Sequence, residues 1–379
     1  MILLLTAILL LIWILWGMDN ANTHFAANYA EARVGFLSAV RRRDLAVESA
    51  VNPLKGALGE ELATDSTLLG ASDSTSLLVV SSGTHGVEGF CGSGCQRELL
   101  QDTELLSRIE AGRVAVLLVH AVNPHGFSHL RRVNEDNVDL NRNFREFADA
   151  KDTNPAYAEV HDLLLPAEWP PTDGNRADLA ACAARMGLAA FRAAVSAGQN
   201  SRKDGLFYSG TQPTWSNRTM RALIRRHGAG RRRIGWIDIH TGLGPFGHGE
   251  KIFAGANDPA ELARCRAWYG ADVMSYYEGR SASTEVQGSM VMSVYAECPQ
   301  AEATGMGLEY GTQHFTAVLD AIRGDHWLAI HPDAPPDRRA AIKRAIVEAF
   351  YSDTDEWKGR VLGQARVAVL QAVTALASA

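Results

Sequence analysis

Short apolar runs that alternate with helical tracts constrain the fold of this chain more than any other feature. The strand-length, nearly uninterrupted runs are Ser76–Ser81, Val114–His120, Ile234–His240 and Met306–Tyr310. Such runs are typical of strands that are buried on both faces. Their alternation with helices predicts an α/β fold, with a central mixed, mostly parallel sheet of about eight strands and helices on both faces.

Helical periodicity marks the stretches before, between and after these strands. The predicted helical tracts are Asn20 to about Leu62, Arg176–Ala197, Asn217–His227, Arg338–Phe350 and Lys358–Ala377. The proline-containing stretch Trp169-Pro170-Pro171 marks a surface excursion rather than a domain boundary. We therefore expect one domain over residues 19–379.

The first 18 residues form an apolar leader without a charged side chain. Its length lies at the lower border for a membrane-spanning helix, and a basic start and a small-residue cleavage site are both missing. The leader is therefore a membrane anchor, an uncleaved signal or a spurious upstream start. If Met18 is the true start, we expect a cytoplasmic protein; otherwise residues 2–16 would attach it to a membrane.

The composition is globular and argues against two classes of protein. Of the 379 residues, 46% are apolar and 21% are charged, and the net charge of −6 argues against a nucleic-acid partner. Five cysteines, an odd number scattered over a long chain, do not make a disulfide framework.

A histidine and a glutamate three residues apart, His85 and Glu88, follow the first apolar strand between glycines. An imidazole and a carboxylate at this spacing can hold one metal ion from the same turn, with a third ligand arriving from elsewhere in the fold. The same spacing also occurs in solvated surface pairs. The pair alone therefore indicates a metal site only weakly.

Further polar groups follow or end the other predicted strands, among them His240 and Glu309. In this architecture ligands bind at the carboxyl ends of the strands, so these side chains would meet His85 at one edge of the sheet. His240 could instead be a core histidine bonded to the backbone. Asp238 lies on the same strand face as His240 and needs a partner, because an unpaired buried charge is costly; it could orient a histidine or line the cleft.

A dense polar run, Arg131–Phe144, follows the second strand. Arginine recognises carboxylates through two parallel hydrogen bonds, and asparagine offers both a donor and an acceptor. A metal site that acts on an acyl group would use such a positive clamp. A solvated loop of this composition would also be unremarkable.

The order of these motifs resembles that of the zinc carboxypeptidase superfamily, the carboxypeptidase A-like metallopeptidases. The resemblance covers residues 76–312 and is carried by His85-x-x-Glu88, then Arg132 nine residues before Asn141-Arg142, then His240 and Glu309. The glycine-rich surroundings are most similar to an uncharacterised, largely bacterial branch with kinship to the acylamino-acid deacylases.

The resemblance implies one Zn²⁺ per chain, held by His85, Glu88 and His240. It also implies that Glu309 is the general base that takes a proton from a zinc-activated water. Asp139 would orient a ligand histidine from outside the metal site.

The same resemblance implies the substrate contacts. Arg132 would polarise the scissile carbonyl; the adjacent Arg131 could take this role, but the nine-residue interval favours Arg132. Asn141 and Arg142 would bind the terminal carboxylate of the substrate. These peptidases often use a tyrosine as well, and we assign no role to the candidates Tyr276, Tyr277 and Tyr295.

We therefore expect a zinc-dependent hydrolase that cleaves an amide bond next to a free carboxylate, in a peptide or an N-acyl amino acid. One alternative is a deacylase of small N-acyl amino acids on the same site, and another is a peptide-binding module without activity. A serine hydrolase finds little support, because Gly92-Ser93-Gly94 lacks the Gly-x-Ser-x-Gly turn.

Overall fold

A seven-stranded sheet forms the centre of the part of the protein that the computed structural model describes, residues 21–147 and 154–377. The strands are β1 (Glu48–Lys55), β2 (Glu61–Leu69), β3 (Ser76–Ser82), β4 (Val114–His120), β5 (Arg233–Phe246), β6 (Gly249–Phe253) and β7 (Glu302–Gly311). Their spatial order is β1-β2-β4-β3-β5-β7-β6.

The central strands of this sheet run parallel and the outer ones antiparallel. The pairs β4/β3, β3/β5 and β5/β7 are parallel, whereas β1/β2, β2/β4 and β6/β7 are antiparallel. The predicted α/β class with a mixed sheet is therefore confirmed. The described residues form seven strands rather than about eight, and parallel pairs are only half of the total rather than most of it.

Helices cover both faces of the sheet, as the apolar strands predict. Side chains alternate along β3: Leu78 and Val80 belong to one buried cluster, and Leu77 and Val79 belong to a second cluster on the opposite face. The helices are α1 (Tyr29–Arg41), α2 (Gly89–Leu99), α3 (Thr103–Ala111), α4 (Pro124–Ser128), α5 (Tyr157–Leu164), α6 (Asp173–Met186), α7 (Leu188–Ser196), α8 (Trp215–Gly228), α9 (Pro259–Tyr269), α10 (Ser293–Glu297), α11 (Phe315–Ile330), α12 (Pro336–Phe350) and α13 (Asp355–Ala377).

The predicted helix from Asn20 to about Leu62 is wrong beyond Arg41. Most of the apolar residues whose helical spacing suggested this helix lie in α1. After α1 the chain forms β1 and enters β2. These strands depend on long-range pairing, since β2 hydrogen-bonds to β4. The predicted helix Arg176–Ala197 is divided at Gly187, whose φ of 81° lies outside the helical region.

The apolar leader lies outside the described residues, so its predicted role stays a prediction. Over residues 21–147 and 154–377, no single helix has both the length and the apolar character to cross a membrane. The helices α6 and α7 reach that length and composition only as a pair, and they are bent by 113°.

Candidate metal centre

The parallel strands bring the predicted groups to one edge of the sheet. His85 follows the end of β3, and His240 and Glu309 are register partners on β5 and β7. The prediction that β5 ends at His240 is wrong, because the strand continues to Phe246. The edge position of His240 nevertheless holds, since its neighbour β3 has already ended at Ser82.

A single 3-10 turn, Gly86–Glu88, carries both His85 and Glu88 into the site. The backbone N–H of Gly86 donates to the carbonyl of Arg132 (3.1 Å), which fastens the turn to the polar run. A Cβ atom at Gly86 would lie 2.0 Å from the carbonyl carbon of Gly126. Glycine is therefore required here, because the two backbones approach too closely for any side chain.

His85, Glu88 and His240 converge as a buried group whose candidate ligand atoms all lie within 4.8 Å of one another. His85 Nδ1 is 2.8 Å from Glu88 Oε1, and His240 Nδ1 is 3.0 Å from Glu88 Oε2. Both imidazoles thus turn the same ring nitrogen towards one carboxylate. This arrangement offers two nitrogen atoms and one carboxylate to a single cation.

A second carboxylate lies behind each of the two histidines. His85 Nε2 is 3.1 Å from Asp139 Oδ1, and His240 Nε2 is 2.6 Å from Asp238 Oδ2. Asp238 is itself fixed, because the hydroxyls of Ser81 (2.6 Å) and Thr84 (2.8 Å) donate to its Oδ1. Outer carboxylates of this kind set the tautomer of a metal-binding histidine and leave its other nitrogen free for the ion.

The electrostatics of the group favour ionised carboxylates. Burial raises the pKa of Glu88, but the neighbouring His85 and His240 outweigh it and hold that pKa well below its usual range. Burial lowers the pKa of His240, but Asp238 and Glu88 raise it well above its ordinary value. The ionised carboxylates of Glu88 and Asp139 therefore lie beside the two imidazoles.

The structure separates the two adjacent arginines. Arg132 lines the cavity and donates to Asp139 Oδ2 (3.0 Å) and to Glu88 Oε1 (3.2 Å). Arg131 points elsewhere and forms an ion pair with Asp325 (2.8 Å). Arg132, rather than Arg131, is therefore in position to face a substrate.

Asn141 and Arg142 lie on a second 3-10 turn, Leu140–Arg142, and both line the cavity. Asp139 accepts a hydrogen bond from the backbone N–H of Asn141 (2.9 Å), so the turn and the outer carboxylate are built together. The guanidinium of Arg142 donates to the carbonyl of Ser196, from Nε at 3.0 Å and from Nη2 at 2.6 Å. Burial lowers the pKa of Arg142 to about 10, which leaves it charged at neutral pH.

Glu309 stands apart from the three-residue group but lines the same cavity. Its Oε1 accepts a hydrogen bond from the backbone N–H of Leu243 (2.9 Å), which orients the carboxyl group. Burial, followed by the negative charge of Glu88, raises the pKa of Glu309 to about 7. A carboxyl with this pKa is suited to exchanging protons near neutral pH.

The cavity that these groups share has a volume of about 290 Å³. Its wall contains residues that the sequence did not indicate as site residues: Arg192, Phe207, Leu243, Phe315 and Phe350. Of these residues, only Leu243 lies in a segment that the sequence marks, the glycine-rich loop after His240. Of the three candidate tyrosines, Tyr276 lines the cavity, whereas Tyr295 hydrogen-bonds to Glu261.

The fold and the site together define an α/β protein with a buried His-Glu-His group at the carboxyl edge of a mixed sheet. The family described as "Protein of unknown function (DUF2817)" matches residues 25–364, and the chain belongs to that family. None of the curated proteins matches the chain.

Several solved structures are similar to this chain. Carboxypeptidase A from Helicoverpa armigera is 12% identical, with 85% of this chain and 74% of that chain covered at a TM-score of 0.41. Bovine thrombin-activatable fibrinolysis inhibitor is 13% identical, with 86% and 96% covered at 0.41. A metallo-carboxypeptidase from Burkholderia cenocepacia is 12% identical, with 84% and 67% covered at 0.40.

Proposed function

We propose that this protein is a zinc-dependent hydrolase that cleaves an amide bond next to a free carboxylate. The observation that carries the proposal is the paired arrangement of His85 and His240, each with Nδ1 towards Glu88 and Nε2 on a second carboxylate. Histidines that serve only the core need no such pair of outer acids.

The donor set fits zinc. Two imidazole nitrogens and one carboxylate are a common catalytic zinc set, and they leave a fourth position for water or substrate. Bound by His85, Glu88 and His240, zinc would supply a Lewis acid that polarises a carbonyl and lowers the pKa of water. The negative charge of Glu88, Asp139 and Asp238 would offset the charge of the ion.

The remaining groups divide the work of hydrolysis. Glu309 takes a proton from the attacking water and returns it to the leaving amine, since its pKa of about 7 lies near the working pH. Arg132 stabilises the negative charge that develops on the carbonyl oxygen. Arg142, together with Asn141, binds the terminal carboxylate, because a guanidinium fork matches a carboxylate in shape and charge.

A deacylase of small N-acyl amino acids is the second candidate. The cavity of about 290 Å³ lies at the lower end of the range for small-molecule sites, which favours a compact substrate over a long peptide. Both candidates use the same residues and differ only in the size of the acyl group.

The test combines metal content with hydrolysis. We expect the purified protein to hold one zinc per chain and to cleave N-acyl dipeptides and N-acyl amino acids with a free carboxylate, but not their amides. Glu309→Gln should keep the zinc and lose at least about a hundredfold in kcat. A near-normal rate in that variant, or a protein that binds no zinc, would contradict the proposal.

A further inference from the structure

A third arginine, Arg192, lines the same cavity as Arg132 and Arg142 but differs from them in its partners. Arg132 is bonded to Asp139 and Glu88, and Arg142 is held by the carbonyl of Ser196. Across residues 21–147 and 154–377, no ion pair or side-chain hydrogen bond occupies Arg192, and its Nε is buried without a partner.

Aromatic stacking fixes the position of the Arg192 side chain. Its guanidinium carbon lies 4.9 Å from the ring centroid of Phe315, the first residue of α11. A cation over an aromatic face is stabilised, but the face satisfies none of the N–H donors in the guanidinium plane. The Nε–H of Arg192 is buried, and a buried donor is costly unless an acceptor completes it.

Arg192 lies on the side of the cavity that binds the proposed terminal carboxylate. Ser196, whose carbonyl receives the Arg142 fork, also donates from its hydroxyl to the carbonyl of Arg192 (2.8 Å). The two arginines are therefore tied to consecutive turns of the same short helix, α7. The side chains of both arginines line the same cavity.

Apolar side chains from two helices also line this cavity. Val195 of α7 and three residues of α11 contribute to it: Val318, Leu319 and Ile322. A spacing of three and four residues places the α11 side chains on one helix face. This surface suits the methylene groups of a side chain whose charged end would reach Arg192.

We infer that the terminal residue of the substrate carries a second carboxylate, on its side chain, and that Arg192 recognises it. This inference rests on the proposed function, since it assigns the substrate class of the same site. The substrates are accordingly peptides or N-acyl amino acids that end in glutamate or aspartate.

Matched substrates test the inference through a ratio of rates. We would measure kcat/KM for N-acetyl dipeptides that differ only in a terminal Glu or Gln. The wild-type protein should prefer Glu by about tenfold or more, the effect of a hydrogen-bonded charge pair. Arg192→Gln should bring the Glu/Gln ratio close to one, whereas the control Arg185→Gln, an exposed arginine on α6 that pairs with Glu159, should retain the wild-type ratio.

A binding measurement separates this inference from the proposed function. Calorimetric titration with free L-glutamate and L-glutamine needs no turnover and should show tighter glutamate binding that Arg192→Gln abolishes. That result without hydrolysis of any amide would refute the proposed function and leave only the recognition of an acidic side chain by Arg192. Equal affinity for the two amino acids, an unchanged Glu/Gln ratio in Arg192→Gln, or a preference for acid on the acyl side only would overturn the inference.

Discussion

Asp238, the carboxylate that contacts Nε2 of His240, gives the sharpest prediction about the candidate metal centre. Asp238→Asn keeps the shape of the side chain and removes only its charge. The Asn oxygen can still accept from His240 Nε2, and the hydroxyls of Ser81 and Thr84, which now donate to Asp238, can turn to accept from the new amide. The substitution therefore measures the effect of the negative charge on Asp238 separately from the effect of its hydrogen bonds.

The expected loss follows from the short contact and the burial. A hydrogen bond of 2.6 Å to an ionised acceptor is of the strong, charge-assisted kind, and Asp238 is fully shielded from water. Removing an outer partner of a metal-binding histidine typically costs 10–100-fold in metal affinity, or about 1.4 to 2.7 kcal/mol. Because solvent screening is absent here, we expect the upper half of that range.

Competition with a zinc-binding dye would measure this loss directly. The control is Asp73→Asn, which removes an exposed carboxylate that pairs with Arg113 on the surface and should leave zinc affinity unchanged. Thermal unfolding of the metal-free proteins would confirm that each variant is folded. A zinc affinity within threefold of wild type in folded Asp238→Asn would refute the reasoning that this carboxylate supports the ion.

Three other perturbations have separable outcomes. His240→Ala should lower the zinc content of the purified protein to near zero, and unchanged zinc by elemental analysis would contradict the proposed ligand set. Arg142→Ala should raise KM for substrates with a free carboxylate by about tenfold or more, and an equal effect on amidated substrates would refute the clamp. Burial raises the pKa of Asp325, but Arg131 and Lys343 outweigh it and lower the pKa to about 2 from 3.8. Asp325→Asn should therefore cost about 2 kcal/mol of unfolding free energy at pH 7. A carboxyl whose pKa is lowered by folding stabilises the folded state at pH values above its unfolded pKa. Denaturant titrations should therefore show the difference in unfolding free energy between wild type and Asp325→Asn vanish as the pH falls from about 4 to 2.

The central strands were predictable because their signal is local. A strand covered on both faces needs a nearly continuous apolar run, and β3, β4, β5 and β7 all contain one. The outer strand β1 has no such run, since only Asn52 is buried along it. It forms an antiparallel hairpin with β2, and this hairpin joins the sheet only through the long-range pairing of β2 with β4, which no local pattern records.

The group formed by His85, Glu88 and His240 was predictable for a different reason. Its residues are chemically distinctive, and their order along the chain resembles that of a known superfamily. Their convergence required only that the carboxyl ends of parallel strands share one edge of the sheet. The nine-residue interval to Asn141 favoured Arg132 over the adjacent Arg131, and the structure places Arg132 on the cavity wall and pairs Arg131 with Asp325.

The sequence by itself predicted the α/β class, because apolar runs are a local signal, and the resemblance in motif order predicted the grouping of His85, Glu88 and His240 with Asp139. Only the tertiary structure decided that the sheet has seven strands in the described residues and that both histidines present Nδ1 to Glu88. It also showed that Arg192 lines the same cavity, with a buried Nε that has no hydrogen-bond partner among those residues. These facts depend on contacts between segments far apart in the chain. Arg192 lies in an alanine-rich helix that carries no sign of function until α11 packs Phe315 against it.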